Sequence, residues 1–390
     1  MIANHGKQAL EGQHRVLSEV PLSLAYALSF FGTTVMPVWI GAMALRFGTS
    51  VAHVGLIASL ELGCVAVASG LSAIFMKSSS RRAWLVLALL MSMLGNTLAA
   101  FAPSLLVLAL TRAIAGGAHG FILSAVTRRA AQTPKPPRVF AAQLFALVAM
   151  AILFFSNAPL LTTRFGLGAP FLFCAGIGVL TLMTLAWLPD TARVPVSGVT
   201  GKGAYSRHSV TMKLGGAALL FCIQTSLWAY LQPAAASVGM SMTQLSHLLA
   251  LGAAINLLAP IAAERLGERL GRSLPFLAGF LALGASAFLV AGQVGITAYS
   301  VGVVGLSFST LFLGPFVMAS LLRLDSSGGI AAGAPAFFMI GLAIGPALGA
   351  AILNSIGLGG LAAFGVLAAL VASLLFVCDT SSRDELPLRR

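Results

Sequence analysis

The sequence predicts an all-α integral membrane protein with twelve transmembrane helices in two six-helix bundles. Of its 390 residues, 58% are hydrophobic and only 8% are charged, and the mean hydropathy is +0.97. A helix needs about 20 apolar residues to cross the hydrocarbon core, so this length holds roughly a dozen spans. The apolar runs are continuous rather than alternating, which indicates helices and not the strands of a barrel.

The first six predicted spans follow a polar cytoplasmic tail at residues 1–20 and form a bundle at 21–189. We expect no cleavable signal peptide, because no small-residue cleavage site follows a short apolar core. The first spanning helix would then direct insertion itself. Breaks in the apolar runs set the boundaries of the spans, which lie near residues 22–45, 51–76, 83–101, 104–126, 140–161 and 169–188.

A more polar connection divides the chain into its two predicted bundles. Residues 190–210 are rich in Gly, Ser and Thr and carry several basic residues, which is typical of a linker. The second bundle is predicted at 211–378, followed by a cytoplasmic tail at 379–390. Its spans lie near residues 212–231, 245–263, 273–291, 296–321, 330–352 and 358–377.

The basic residues fix the expected orientation of these spans. The net charge is +13, from 23 Lys and Arg against 10 Asp and Glu. In the connections on one side of the predicted membrane, only Arg46 and Arg164 are basic. The other connections and both tails hold all the rest, apart from Arg112 within a span. Because excess Lys and Arg remain cytoplasmic, we expect both termini inside a bacterial inner (plasma) membrane, and no nucleic-acid partner.

Span four carries an arginine in an otherwise apolar run. At the centre of a spanning helix an arginine costs about 2.5 to 3.5 kcal/mol on insertion scales, so Arg112 is a candidate functional residue. Gly116, His119 and Gly120 share its helical face, which allows another backbone to approach closely. His119 is a candidate proton relay. The alternative is a hydrogen bond across a helix seam.

Glu61 is the acid that the sequence places inside a predicted span, and we interpret it as a candidate proton carrier. At 1.5 Å per residue, Glu61 lies about 15 Å and Arg112 about 12 Å from the outer ends of their spans. We therefore hypothesise that they form a switchable pair, released by protonation or substrate. A permanent structural salt bridge is the alternative.

The second bundle contains no charge within its predicted spans, so its part of a substrate cavity would be neutral. Aromatic and amide groups together suit an amphipathic organic ligand. Ordinary hydrogen bonding between helices is the competing explanation for each polar residue. The candidate cavity residues are Tyr26, Phe30, Thr33 and Thr34 in span one, Gln224, Thr225 and Trp228 in span seven, Asn256 in span eight, and Ser307 and Thr310 in span ten.

Three motifs make the chain resemble the major facilitator superfamily. The connection after span eight matches the family's loop signature at Glu264, Arg265, Gly267 and Arg269. Span four matches an arginine and glycine pattern at Arg112, Gly116 and Gly120. Span eleven has Gly341-x-x-x-Gly345-Pro346-x-x-Gly349, similar to a signature that antiporters carry in span five. The resemblance, to arabinose-efflux and drug-efflux members, implies pseudo-two-fold symmetry and a gate at the loop.

The sequence also departs from the family pattern. The first-half loop between Gly70 and Arg82 has no acid, span five lacks the antiporter signature, and span one has no carboxylate. These departures argue against a pump for cationic drugs. The chain also contains no phosphate-binding loop of the type that ATP-driven transport would need.

We therefore expect a secondary transporter with proton-coupled efflux of a small neutral or anionic amphipathic compound. Its partners would be that substrate, protons and the lipid bilayer. We expect a monomer with no cofactor, no metal and no enzymatic activity. Uptake of a small organic acid and a non-transporting membrane sensor on the same fold are the alternatives.

Overall fold

The computed structural model describes residues 19–75, 81–133, 135–187, 207–270, 273–324 and 329–381, and all regular structure in these ranges is helical. The predicted tails at 1–20 and 379–390 and the linker at 190–210 lie largely outside them. The first helices are α1 (Glu19–Thr34), α2 (Met36–Phe47), α3 (Val51–Phe75), α4 (Arg81–Ala100), α5 (Leu105–Ala131), α6 (Pro136–Phe165) and α7 (Ala169–Thr184), which a 3-10 turn at Leu185–Trp187 follows.

The remaining helices follow the linker. They are α8 (Arg207–Trp228), α9 (Leu231–Ser237), α10 (Met242–Asn256), α11 (Leu258–Leu270), α12 (Leu274–Ala291), α13 (Ile296–Leu324), α14 (Gly329–Ser355) and α15 (Leu358–Ser381).

The helices account for the predicted number of spans. In the described part of the chain, eleven helical segments are long and apolar enough to cross a membrane. The pair α1 and α2, which bend by 51° at Val35, brings the number to twelve when it is counted as one span. Many large apolar side chains, including Leu106, Leu153 and Leu367, point outward, as they would in lipid rather than water. The all-helical, twelve-span prediction is confirmed.

The described residues group into two compact units. One unit draws on Met1–Val35 and Cys64–Val196, and the other draws on Met36–Gly63 and Ser197–Arg390. The segment 36–63, which holds α2 and the first half of α3, is therefore grouped with the second half of the chain. The bundle boundaries expected from the sequence stay a prediction.

In the first unit, α4 packs against α5 and α7. The start of α5 is fixed by Ser104, whose side chain accepts a hydrogen bond from the backbone N–H of Val107. Aromatic rings join α1, α6 and α7, with Phe31 lying 5.6 Å from Phe154 and 5.2 Å from Phe173 between ring centroids. These contacts hold α5 in a defined register against its neighbours.

In the second unit, α14 packs along α8, and α12 packs between α13 and α15. The rings of Phe276 and Phe376 stack with 4.7 Å between centroids, which joins α12 to α15. The helix α10 begins at a capping box in which Ser241 and Gln244 bond each other's backbone N–H groups. This unit therefore has an apolar core of its own.

Candidate functional site

Arg112 is completely buried in the first unit. Its exposed fraction is 0%, and it lies on α5 two turns beyond the Ser104 cap. An Nη1 atom donates a hydrogen bond of 2.7 Å to Oδ1 of Asn96 on α4. The guanidinium carbon lies 4.8 Å from the ring centroid of Phe171 on α7. A desolvated cation over an aromatic face is stabilised by about 2 kcal/mol, so two helices help to hold this charge.

A second polar contact lies beside the first on the same two helices. His119 Nε2 is 2.9 Å from Oγ of Ser92, and Asn96 Nδ2 donates to the backbone oxygen of Ser92 at 2.9 Å. Since α4 and α5 are antiparallel, Asn96 faces Arg112 and Ser92 faces His119. We call these four buried residues the α4–α5 polar ladder. It is a connected network in an apolar region, where each hydrogen bond is strengthened by the low dielectric.

Gly120 lies on the same face of α5 as Arg112, where the sequence predicts that another backbone approaches closely. Gly120 lies against the backbone carbonyl of Val65, where a side chain would collide with α3. The Oγ of Ser69 donates to the carbonyl of Gly120 at 3.0 Å. The expected close backbone approach at this position is confirmed.

Glu61 is buried in α3, with 4% of its surface exposed. It lies ten residues from the start and eleven from the end of its span, Val51–Ser72. The residue belongs to the segment grouped with the second unit, whereas Arg112 belongs to the first. The pairing of Glu61 with Arg112 therefore stays a prediction.

The cavity candidates on α1 are half-buried. The rings of Tyr26 and Phe30 pack together with 5.1 Å between their centroids. The hydroxyl of Thr34 donates to the backbone oxygen of Phe30 at 3.0 Å, and Thr33 is half-buried beside it. This face combines aromatic surface with hydroxyl groups.

The candidates in the second unit divide into two sets. Thr310 Oγ1 donates to Gln224 Oε1 at 2.8 Å, so the structure brings these two together. Thr225 instead lies in the seam with α14 and donates to the carbonyl of Leu342 at 3.1 Å. Trp228 and Ser307 are half-buried. Asn256, at the break between α10 and α11, has a buried Oδ1 atom without a partner among the described residues.

The glycine and proline motif of α14 forms a seam with α8. Methyl groups built on Gly345 and Gly349 would lie 2.8 Å from the carbonyl oxygens of Cys222 and Ser226, so the helix backbones touch there. A methyl group on Gly341 would lie closer still to the carbonyl oxygen of Ala218. The motif therefore packs helices together, as small residues do in membranes.

Side chains bond the backbone groups that Pro346 disturbs. Proline lacks an N–H, and its ring displaces the carbonyl four residues earlier. Thr225 bonds that carbonyl, on Leu342, and Tyr230 donates to the carbonyl of Pro346 at 2.7 Å. The backbone N–H of Ala347 donates to Oγ of Ser59 at 2.7 Å. The helix α14 continues through Pro346, and these three backbone groups around the proline have hydrogen-bond partners on neighbouring helices.

The residues of the loop signature lie in a helix. Glu264, Arg265, Gly267 and Arg269 fall within α11, and the first two are exposed. The side chains at 267–269 lie outside the described residues. The helix continues through them because nothing in this stretch after Pro260 interrupts it.

Sequence reasoning overlooked several residues that the structure singles out. Ser92 and Asn96 are spaced four apart in an apolar span, and this pattern was a usable signal. Gln143, an amide within span five, is fully buried, and neither of its side-chain polar atoms has a partner in the part of the chain that the structure describes. Ser59 and Tyr230 gave no such signal, because their partners are backbone groups.

Comparisons with known proteins agree with this architecture. A family model described as Major Facilitator Superfamily matches residues 22–321. Comparison with curated sequences gives no significant match. Among solved structures, the peptide transporter POT is similar at a TM-score of 0.73 and 13% identity, covering 94% of each chain. The nucleoside transporter NupG has a TM-score of 0.71 and 13% identity over 93% of this chain and 99% of that one. A D-xylose-proton symporter has a TM-score of 0.70 and 15% identity over 92% and 97%.

Proposed function

Because this chain belongs to the major facilitator superfamily, we propose that it exports a small neutral or anionic amphipathic molecule by alternating access, coupled to protons. The family and the similar solved structures make it a membrane transporter rather than an enzyme. We further propose a monomer in a bacterial inner membrane, with both termini in the cytoplasm. The skewed placement of Lys and Arg supports this orientation.

The observation that carries the proton coupling is a carboxyl group buried near the middle of a span. Ionisable residues at that depth are costly and mark ion or substrate pathways. Glu61 is 4% exposed and lies near the middle of its span. A carboxyl group can take up a proton from one side and release it to the other. In this proposal Glu61 carries the proton. Arg112 provides the gating charge, and the other residues of the α4–α5 polar ladder hold it in place.

The state of Arg112 bears on the choice between export and uptake of an organic acid. Uptake would use this guanidinium as the receptor for a substrate carboxylate. The contacts of this guanidinium include Asn96 and Phe171, and Arg112 has no exposed surface. A substrate anion would have to displace these groups and enter a closed region. This arrangement favours a gating role for Arg112 and supports export.

Transport can be tested in inside-out membrane vesicles with an acidic lumen. We would add three probes with one ring and different head groups: benzamide, benzenesulfonate and benzyltrimethylammonium. We expect benzamide or benzenesulfonate to cause proton loss from the lumen, measured with a trapped pH dye, and a protonophore to abolish it. Vesicles without the protein are the control. Flux only in right-side-out vesicles would support uptake, and no flux in either orientation would support the sensor.

A further inference from the structure

The side-chain amide of Gln224 on α8 is held in one orientation. The hydroxyl of Thr310 on α13 donates to Oε1 of Gln224 at 2.8 Å, and it also lies 3.0 Å from the carbonyl oxygen of Leu306 in its own helix. The amide oxygen is therefore bonded within the fold. Among the described residues, Nε2 has no partner. Because Gln224 is half-buried rather than enclosed, its two N–H donors are available to a ligand.

Asn256 offers a hydrogen-bond acceptor. It is the last residue of α10, at the break before α11, and its Oδ1 atom is buried without a partner among the described residues. Buried acceptors are normally bonded, since an unmet one costs free energy. The residue as a whole is half-buried, so part of its surface is accessible. This amide oxygen suits a ligand that brings an N–H group.

The helices α8 and α10 flank one face of α13. Both pack against α13. The bond from Thr310 to Gln224 marks the side of α8. The side of α10 is marked by Gly252, because a methyl group built there would lie 3.6 Å from Cγ2 of Val304. Thr310 follows Val304 by six residues, so the directions to α8 and α10 are about 120° apart around α13.

Ser307 lies between these two directions. It is three residues from both Val304 and Thr310, so its side chain is about 60° from each of them around the helix. Ser307 is half-buried and has no hydrogen bond among the described residues. Gly314 follows two turns later, and its added methyl group would meet no atom within 4 Å beyond its chain neighbours and the backbone of its own helix. The face of α13 between α8 and α10 is therefore open.

Asn256 lies on the same side of the contact between α10 and α13 as Ser307. One span, α12, separates the two helices, so they cross the membrane in the same direction. Asn256 is one turn beyond Gly252, rotated by about +40°, and Ser307 is about −60° from Val304. On parallel helices that face each other, these opposite rotations turn both side chains toward α8. Along the axis, Asn256 lies about 1.5 Å from Ser307 and about 3 Å from Thr310.

We infer that Gln224 and Asn256 form a subsite for a neutral carboxamide group of the substrate, with Ser307 between them. The N–H groups of Gln224 donate to the carbonyl oxygen of the ligand, and Oδ1 of Asn256 accepts from its N–H. The half-buried ring of Trp228, one turn beyond Gln224, provides an apolar wall for the body of the molecule. This inference rests on the proposed transport function and narrows its substrate class.

The charge pattern around this subsite disfavours an ionised head group. The surrounding stretches of α8, α10 and α13, residues 214–228, 242–256 and 296–322, contain no Asp, Glu, Lys or Arg. A charged group that leaves water without a counter-charge is strongly disfavoured, whereas a neutral amide needs only hydrogen bonds. The available donors and acceptor therefore match a carboxamide better than a carboxylate or an ammonium group.

The test uses the full-length protein in lipid nanodiscs, with radiolabelled benzamide and acetophenone in equilibrium dialysis. The two probes share a ring and a carbonyl group, but acetophenone has no N–H to donate. We expect the wild type to bind benzamide roughly five- to tenfold more tightly, because only benzamide bonds Oδ1 of Asn256. Asn256→Leu should abolish this preference. Gln224→Leu should weaken the binding of both probes by a similar factor, because both probes lose the donor to their carbonyl oxygen.

Ser286→Ala is the matched control in the same unit. Its hydroxyl on α12 bonds the carbonyl of Ala282 and lies against Gly305, on the other side of α13 from Ser307. This variant should keep the wild-type preference for benzamide. Nanodiscs without protein give the binding of each probe to lipid.

Melting temperature separates this role from a structural one. Leucine removes an unmet acceptor, so Asn256→Leu without ligand should melt at or above the wild-type temperature. A lower melting temperature would show that Oδ1 is bonded in the folded protein and would overturn the subsite. Equal affinity of the wild type for the two probes, or a preference that survives in Asn256→Leu, would also overturn it. If benzenesulfonate still drives proton flux in these cases, the transport proposal stands and only the subsite fails.

Discussion

The guanidinium of Arg112 donates a 2.7 Å hydrogen bond to the amide oxygen of Asn96, in a region with no exposed surface for either residue. This pair makes an intramembrane charge tolerable, because a buried cation without hydrogen bonds is strongly destabilising. His119 lies two turns beyond Arg112 on the same face of α5. Its Nε2 atom is within hydrogen-bond distance of Oγ of Ser92. The charge and the imidazole thus both have hydrogen-bond partners on α4.

The first prediction concerns this pair. Asn96→Leu should lower the free energy of unfolding by about 1.5 to 3 kcal/mol, because it removes a hydrogen bond to a buried charge. Denaturant titration of the purified protein measures the change. Asn157→Leu is the control, since the half-buried Asn157 bonds the backbone of its own helix at Leu153 and, among the described residues, no charged group. Equal stability of Asn96→Leu and wild type would show that the bond is not needed.

The second prediction concerns proton coupling. Glu61→Gln should reduce probe-driven proton flux to that of vesicles without protein, because an amide cannot take up and release a proton in this pH range. The lumen pH dye gives the measurement. Glu19→Gln changes an acid at the first residue of α1, outside the predicted spans, and should leave the flux unchanged. Full flux in Glu61→Gln would remove this carboxyl group from the mechanism.

The third prediction concerns the backbone of α14 next to Pro346. Ser59→Ala leaves the backbone N–H of Ala347 without its acceptor, which should cost about 1 to 3 kcal/mol of stability. Hydrogen–deuterium exchange of peptides that contain Ala347 should become faster. Ser300→Ala is a suitable comparison, because that exposed hydroxyl bonds only Ile296 in its own helix. If exchange near Ala347 is the same in both variants, the Ser59 contact does not protect this amide.

The fourth prediction concerns the seam between α8 and α14. Gly341→Ala should destabilise the protein by about 1 to 3 kcal/mol, because the new methyl group meets the backbone of Ala218, which cannot rotate away. Gly215→Ala in α8 is the matched change, since its added methyl group has no atom within 4 Å beyond its chain neighbours and the backbone of its own helix. It should be neutral or stabilising by up to about 1 kcal/mol. Similar melting temperatures for the two variants would contradict the close packing.

The span pattern was predictable from the sequence because each run of apolar residues must satisfy its own backbone in lipid. The bend at Val35 was overlooked although the sequence carries a signal for it, because Pro37 lacks the N–H that would bond the carbonyl of Thr33 and its ring displaces that carbonyl. The motif at Glu264 suggested a loop, whereas the structure continues α11 through it. Local sequence does not show where a helix that leaves the hydrocarbon core will end.

The polar residues were harder to assign than the spans. Thr225 was predicted to line a cavity, but the carbonyl of Leu342 that Pro346 displaces draws it into a helix seam. Periodicity gives the residues that share a face but not the direction in which that face points. Asn96 and Gln143 could have been noticed as amides within apolar spans. Asn96 is bonded to Arg112, whereas the amide of Gln143 has no partner among the described residues. Only the packing of the helices shows this difference.

The bond between Asn96 and Arg112 joins two consecutive helices across a very short turn, with sixteen residues separating the partners. Such a hairpin can form while the chain is still being delivered to the membrane. The arginine then enters the bilayer already attached to its acceptor, and its insertion cost is met before the other helices arrive. The helices α4 and α5 would accordingly insert into the membrane together. Asn96 would then be required during insertion, before the protein transports anything.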